Sequence, residues 1–353
     1  MIRVLKNYAL NQLNSLRLES HCAYFVKVDN RDQLKEIIQS DFFDVNNFFI
    51  IGEGSNLILP EYYSGTVMRI TFTGFSRVLP SYYNHKANTT GDITHLKVGA
   101  GESWSNLISY CLANNLKGLE NLTLIPGSVG AAPIQNIGAY GVEVSDLIES
   151  VEVFNLKTGS IELLSNKACC FSYRGSVFKQ NPSRYIILSV IFVFDSKVKL
   201  NTAYASLAKR IHDKGLNEQV LTARDISELV ASIRRERLPN PEFEANAGSF
   251  FKNPVVSVKG LESLKQQFTD IIFFPYNHDQ YKLSAAWLIE YCGWRGKVDG
   301  AFMVSDKHAL VVINRGGKAG EITQEKLLSF AEKIQNSVKE TFSIQLEIEP
   351  VVK

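Results

Sequence analysis

The residues best suited to hold a reactive ligand in this chain are glycines. GEGSN occupies 52–56, GAGESW occupies 99–104, and IPGSVGAAPIQNIGAYGVEV occupies 125–144. Each segment sets residues without a Cβ among small polar ones, so its backbone can approach a ligand closely. Main-chain N–H groups in such turns form concave anion sites that need no basic side chain. The longest segment holds no lysine, arginine or histidine and no charge before Glu143. Ser55, Asn56, Ser128 and Asn136 add side-chain hydrogen bonds. The chemistry implied is a diphosphate held mostly by main chain. A single segment of this kind reads more often as an ordinary turn than as a ligand site. Three in one chain argue for a ligand without identifying it.

These turns must be set between regular elements. RDQLKEIIQS (31–40) places Leu34, Ile37 and Ile38 on one helical face. NNFFIIGEGSNLILP (46–60) predicts strand, turn, strand. Residues 65–99 are β-prone around a polar break, NHKANTTGD, to which His85 and His95 are assigned. WSNLISYCLANN (104–115) predicts a helix ending near Lys117-Gly118. SVEVFNL, SIELLS and RYIILSVIFVFD follow as strands. DISELVASIRRERLP (225–239) predicts a helix, with Asp225 and Glu228 spaced as a capping box and Pro239 past its end. A C-terminal part begins near Pro239-Asn240-Pro241. It carries a helix in SAAWLIEYCG, a strand and turn in HALVVINRGG, and a helix over 323–342 with Leu327, Ala331, Ile334, Val338 and Phe342 on one face. SIQLEIEPVV (343–352) alternates: Gln345, Glu347 and Glu349 share one face, and Ile344, Leu346 and Ile348 the other. The fold class predicted is α+β. No GxGxxG follows an early strand, so a conventional dinucleotide fold is not supported.

Composition bounds the rest. A chain of 353 residues suits two or three subdomains. Its 45% hydrophobic and 21% charged residues belong to a soluble globular protein. A net charge of +2 creates no global field for nucleic acid or an acidic membrane, so neither is expected as a partner. Five cysteines without CxxC spacing indicate neither a disulfide framework nor a zinc site, and no metal is expected. Adjacent Cys169 and Cys170 read as small buried residues. The N-terminal residues lack a secretory pattern, and no apolar run is long enough to span a bilayer, so a cytoplasmic location is expected.

GEGSNLIL, VGAGESW and LIPGSVGAAPIQNIGAYGVEV together resemble the UDP-N-acetylenolpyruvoylglucosamine reductase (MurB) family. The resemblance continues, in order, through FSYRGSVFK, NAGSFFKNPVV, KLSAAWLIEYCGWRG and LEIEP, and covers nearly the whole chain. It implies a two-subdomain FAD-binding fold of the vanillyl-alcohol-oxidase type, followed by an α+β substrate-binding subdomain. The corresponding division is 1–72 and 73–237 for the FAD-binding subdomains and 238–343 for substrate, with 344–353 returning to the first. It also implies FAD as cofactor, NADPH as cosubstrate, a UDP-sugar enol ether as substrate and a monomeric enzyme. The reaction implied is hydride transfer from reduced flavin to the enolpyruvyl CH2, then protonation of the adjacent carbon. Gly52, Glu53, Gly54, Ser55, Asn56, Leu57, Gly127, Ser128, Gly130, Ala131, Gln135, Asn136, Gly138, Ala139 and Tyr140 would hold the cofactor.

By the same resemblance Arg174, in FSYRGS, is the active-site arginine. A guanidinium stays charged and can bind a carboxylate through two parallel bonds. Ser249, in NAGSFF, matches the proton donor, although a turn or cap serine is its ordinary reading. Glu349 matches a carboxyl group facing the same intermediate. Beside a substrate carboxylate its pKa should rise, and Pro350 restricts it towards extended backbone. Tyr173, Tyr204, Arg237 and Asn253 correspond to substrate contacts. Tyr204 lies in the 198–223 insertion that marks one family subtype, and Arg237 stands where lysine is common. Lys252 and Lys282 are nearby cations that read equally as solvated. Two other readings are a flavin-dependent alcohol oxidase of the same fold and a nucleotide-sugar-binding protein without redox work. No histidine in the glycine-rich segments is placed to tether flavin, and all three catalytic candidates are present.

Overall fold

The structure is a computed structural model that describes residues 2–79 and 92–353. His85 and most of the polar break lie outside the described residues. The chain divides into two compact units, each assembled from separated stretches. The first comprises Met1–Tyr8, Cys22–Glu53 and Ser64–Arg234; the second comprises Ala9–His21, Gly54–Tyr63 and Arg235–Lys353.

The first unit holds two sheets. One has four strands in the order Val4–Ala9, His21–Val28, Tyr62–Ile70, Phe48–Ile50. Phe48–Ile50 runs parallel to Tyr62–Ile70 and leads directly into the first glycine-rich turn. The other sheet has five antiparallel strands in the order Ser160–Ser165, Ile148–Asn155, Tyr185–Asp195, Ile93–Gly99, Phe75–Val78. Tyr185–Asp195 reads YIILSVIFVFD without polar alternation and is buried along nearly its whole length, as a strand covered on both faces must be. The Trp104–Ala113 helix packs into the same core, and the Trp104 indole N–H donates to the Leu122 carbonyl at 3.0 Å.

His95 lies in the Ile93–Gly99 strand and is only 4% exposed, so it does not belong to the polar break. Its Nδ1 is 2.8 Å from the Glu149 carboxylate. A buried polar side chain persists where it has such a partner, and that partner is distant in sequence. The 198–223 insertion contributes the Ala205–Asp213 helix. This helix packs on the Ala223–Arg237 helix through Leu207, Ile211, Ile226, Val230 and Ile233. The longer helix starts earlier than predicted. Its cap is Thr222, whose Oγ1 accepts from the Asp225 N–H at 3.2 Å while the Asp225 carboxylate accepts from the Thr222 N–H at 2.8 Å. The capping box is therefore Thr222–Asp225 rather than Asp225–Glu228.

The second unit is built on a four-stranded antiparallel sheet, Ala245–Ser249, Val311–Asn314, Phe302–Val304, Val298–Asp299. A three-stranded sheet adds Val255–Ser257, Gln280–Leu283 and Phe273–Asn277. The Gln324–Phe342 helix buries Leu327, Ala331, Ile334, Val338 and Phe342, the predicted stripe, together with Phe330. Leu16, Leu18 and Ile58 join this core from far upstream. The Asn314 side chain fixes the first of these segments by donating to the Leu16 carbonyl at 2.8 Å. Val351–Val352 pairs in parallel with Leu57–Ile58.

Residues 343–352 do not form one continuous strand. Only an Ile348–Phe251 bridge and the Val351–Val352 pair are made. Gln345 and Glu347 are exposed and Leu346 is buried, as alternation predicts, but Glu349 is buried at 9% exposure. Pro350 has no N–H to continue the ladder, and the pattern breaks there. Among the described residues no helix is long and apolar enough to cross a membrane.

Candidate active site

In the first unit the glycine-rich segments are sewn to one another by main chain. Gly127 N–H donates to the Glu53 carboxylate at 2.8 Å, so the 52–53 turn grips the 127–131 turn. Trp104 N–H donates to Gly127 O, Val129 N–H to Glu102 O and Gly130 N–H to Ala100 O, at 2.8–2.9 Å. A Cβ on Gly52 would stand 2.7 Å from Ser128 Oγ, and one on Gly130 would stand 2.7 Å from the Ala100 Cβ. The glycines thus serve first to admit neighbouring protein atoms, the Ser128 side chain at Gly52 and Ala100 at Gly130. The main-chain N–H groups of Gly52, Glu53 and Ser128 make no hydrogen bond to a protein acceptor among the described residues. Orphan main-chain donors have the chemistry of an anion cradle, and that chemistry fits a diphosphate such as FAD carries.

The expected effect of crowding this cradle is large. Gly130→Ala should cost about 1–3 kcal/mol by overpacking and release cofactor. A urea midpoint and the flavin-to-protein absorbance ratio after desalting would measure both.

Gly54, Ser55, Asn56 and Leu57 fall in the second unit. Gly54 has φ +63, and a Cβ there would meet Leu13 O at 1.9 Å, so only glycine fits. Asn56 O accepts from Val351 N–H at 2.9 Å, and Leu57 pairs with Val351.

Downstream, Gly138–Ala139 pairs with Val142–Glu143 around the tip Tyr140-Gly141. Asn136 holds this hairpin from below. Its Nδ2 donates to Glu143 Oε2 at 2.7 Å and to Ser172 O at 3.2 Å, and its Oδ1 accepts from Ser145 N–H at 3.1 Å. Ser172 and Gly175 exchange two hydrogen bonds of 3.0 Å across a tight turn whose tip is Tyr173-Arg174. Arg174 holds φ +54, a left-handed conformation normally left to glycine or asparagine. Its Nη2 donates to Gly138 O at 3.0 Å, and its guanidinium carbon lies 5.3 Å from the Tyr173 ring centre. Asn136 and Tyr140 are left-handed too, at φ +46 and +49. Non-glycine residues in this region mark sites where the surroundings enforce strain, and three sequence-predicted site residues share it.

Tyr204 precedes the Ala205–Asp213 helix and is 39% exposed. Its ring meets the Tyr140 ring edge-on at 5.2 Å.

In the second unit Ser249 ends the Ala245–Ser249 strand after Gly248, whose φ is +70. The Ile348–Phe251 bridge lays this strand end beside the Glu349 backbone, and Glu349 N–H donates to Phe250 O at 2.9 Å. The serine and the buried carboxyl are thereby placed on neighbouring backbones. Glu347 is exposed and ion-paired with Lys252. Asn253 Oδ1 accepts from Ala285 N–H at 3.0 Å, which fixes the start of the Ala285–Tyr291 helix. Lys282 Nζ lies 4.2 Å from the Tyr276 ring centre.

Sequence reasoning missed two residues near Arg237. Burial first, then the charges of Arg237 and Arg295, push the His308 imidazole below its ordinary value of 6.5, and Glu290 opposes them. Arg295 is held by Glu290 at 2.8 Å and by the Asp306 carbonyl at 2.7 Å. Nothing in local spacing links residues 237, 295 and 308, so no motif could have flagged them. The lowered value means that the folded protein binds fewer protons here than the unfolded chain. The stability His308 contributes is present above pH 6.5 and is lost as pH falls through the depressed value. His308→Gln should flatten the fall of the urea midpoint on that acid side.

Comparison with known proteins adds the following. Residues 240–353 match the family model described as UDP-N-acetylenolpyruvoylglucosamine reductase, C-terminal domain, and residues 22–165 match an FAD binding domain. A UDP-N-acetylenolpyruvoylglucosamine reductase of Xanthomonas axonopodis pv. citri is 39% identical over 342 residues, covering 97% of this chain and 93% of the relative. That of Bdellovibrio bacteriovorus is 36% identical over 351 residues, 99% of each. The crystal structure of the Thermus caldophilus enzyme aligns over 100% of this chain and 98% of its own, with TM-score 0.64 and 21% identity, and so shares its fold.

Proposed function

The chain belongs to the UDP-N-acetylenolpyruvoylglucosamine reductase family, and from that premise we propose that it reduces UDP-N-acetylglucosamine enolpyruvate to UDP-N-acetylmuramate with NADPH. It is an oxidoreductase of peptidoglycan precursor synthesis with an FAD-binding domain. The 52–57 and 127–140 segments would hold FAD, which when bound would supply the hydride-transfer chemistry between NADPH and the enolpyruvyl CH2. The chain's own residues bind the diphosphate, neutralise the charge that develops on the substrate and supply a proton.

The observation that carries the reading is the set of orphan N–H groups at Gly52, Glu53 and Ser128, framed by segments that already saturate one another. Arg174 receives the substrate carboxylate. The charge of the enolate-like intermediate spreads into that carboxylate, and a preorganised cation is the effective stabiliser. The turn at Ser172–Gly175 and the bond to Gly138 O support this role, because they fix the guanidinium before substrate arrives. Ser249 protonates the carbon, and the buried carboxyl of Glu349, on the adjoining backbone, serves the same intermediate. A serine hydroxyl is a poor acid and suffices only because a carbanionic intermediate is strongly basic.

Tyr173, Tyr204, Arg237 and Asn253 bind the UDP-sugar, with Arg237 and Arg295 supplying positive charge for its diphosphate. In functional terms 1–72 and 73–237 hold the cofactor and 238–343 the substrate, with 344–353 returning to the first. The enzyme acts as a cytoplasmic monomer.

The test is spectroscopic. Purified protein should be yellow, bleach anaerobically with NADPH and regain colour on adding the enolpyruvyl substrate. Protein that stays colourless with added FAD, or stays bleached with substrate, refutes the reading. Colour retained in the precipitate after acid treatment would favour the oxidase alternative, whose flavin is tethered.

A further inference from the structure

We propose that Asn121 is a positioning residue for the substrate: it clasps the base of the tyrosine-bearing insertion to the Tyr140 turn and so fixes where Tyr204 stands. The proposal rests on the reading of Tyr204 as a substrate contact. Asn121 is fully buried within the first unit. Its Nδ2 donates twice, to Tyr140 O at 2.8 Å and to Asn201 O at 2.9 Å. The clasp is reciprocated, since Asn201 Nδ2 donates to Gly141 O at 2.9 Å and Asn201 Oδ1 accepts from Ala203 N–H at 3.3 Å.

The turn therefore holds residue 201 twice, directly through Gly141 O and, by way of Asn121, through Tyr140 O. Tyr204 follows at once. Its carbonyl opens the Ala205–Asp213 helix by accepting from Leu207 and Ala208 N–H at 2.8 and 2.9 Å, and its ring rests on the Tyr140 ring. The left-handed pair Tyr140 and Gly141, at φ +49 and +81, turns these carbonyls towards the insertion. Glycine at 141 lets the Asn201 side chain come close, because a Cβ there would lie 3.3 Å from its Nδ2.

The amide orientation of Asn121 is not arbitrary. Reversing it would set Oδ1 against two carbonyl oxygens. In the orientation present, Oδ1 is buried with no hydrogen-bond partner among the described residues. An unmatched buried acceptor is costly, so this side chain is maintained for its two donated bonds rather than for economy of folding. Those bonds join the turn that faces cofactor to the loop that faces substrate. They give Tyr204 a fixed address in place of a mobile loop. A positioning residue of this kind should govern substrate affinity and leave hydride chemistry alone.

The experiment uses the intact holoenzyme. Asn201→Asp keeps the size of a partly buried side chain while replacing the donor that reaches Gly141 O. It should raise KM for the enolpyruvyl substrate and the calorimetric Kd for UDP about tenfold, change kcat less than threefold, and leave the flavin spectrum and melting temperature in place. Asn121→Ala should raise the same two constants, with a lower melting temperature because two buried carbonyls lose their donor. Tyr204→Ala should raise both constants by itself, and adding Asn201→Asp to it should have no further effect. The proposal is overturned if Asn201→Asp and Tyr204→Ala act additively, or if folded Asn121→Ala binds UDP as tightly as the unaltered protein. Tyr204→Ala with unchanged affinity for UDP and substrate would overturn it by a different route, by removing the reading of Tyr204 on which it stands.

Discussion

Ser249→Ala protein should be reduced by NADPH at the normal rate and then remain bleached when the enolpyruvyl substrate is added. Removing a positioned proton donor typically costs 10²–10⁴-fold, and here the loss should fall on the second half-reaction alone. The surroundings make the variant a clean one. No hydrogen bond from the Ser249 hydroxyl to a protein atom occurs among the described residues. The flanking backbone is held independently: Gly248 N–H donates to Asn246 Oδ1 at 2.8 Å and Phe250 N–H to Leu310 O at 2.7 Å. Stability should therefore change by about 0.5 kcal/mol or less, as at sites without structural contacts. Anaerobic stopped-flow absorbance separates the two half-reactions. Normal reoxidation by substrate would remove Ser249 from its role.

Arg174→Gly should cut activity sharply while changing stability little. The left-handed backbone at Arg174 costs an L-residue roughly 1–2 kcal/mol, and glycine relieves it. Against that stand the extra freedom of glycine in the unfolded chain, about 0.4–1 kcal/mol, and the lost bond to Gly138 O. These terms nearly offset, and the unfolding free energy should change by no more than about 1.5 kcal/mol in either direction. Reoxidation by substrate should fall by about 10²–10³-fold, the usual scale for removing one preorganised charge stabiliser. Reduction by NADPH should be far less affected. Arg174→Lys keeps the charge and the strain but not the planar fork, and should recover only part of the loss. Equal losses in both half-reactions would contradict the assignment.

Local signals in this sequence were read well where the decisive contacts are local. The glycine-rich turns, the Trp104–Ala113 helix and the stripe of the Gln324–Phe342 helix all follow from spacing. Signals failed where a distant partner overrides the local pattern. His95 sits in polar-looking sequence, yet Glu149 on another segment lets it enter the core. Glu349 continues an exposed face by alternation, but the Phe251 bridge and Pro350 turn the chain and bury it. Thr222 lies one turn ahead of the predicted cap, and either threonine or aspartate satisfies the capping pattern, so the geometry alone decides.

The site shows the same division. The glycine-rich segments were legible because glycine is scarce and positional. Their use was not: Gly54 and Gly130 admit neighbouring backbone, at Leu13 and Ala100. His308 and Arg295 were invisible because three separate stretches bring them to Arg237. Asn121 was silent for a related reason, since its importance lies in two carbonyls that no residue-type pattern reports.

The second unit has a consequence for biosynthesis. Its upstream pieces, Ala9–His21 and Gly54–Tyr63, find their core only in Arg235–Lys353. Leu57–Ile58 gains its parallel neighbour only from Val351–Val352. At about 5–20 residues per second on the ribosome, Leu16, Leu18 and Ile58 wait on the order of tens of seconds, solvated, for partners not yet translated. The nascent polypeptide spends that interval as a client for holding chaperones. A message truncated before those last codons would yield a protein whose early apolar stretches never find shelter, however complete its glycine-rich half.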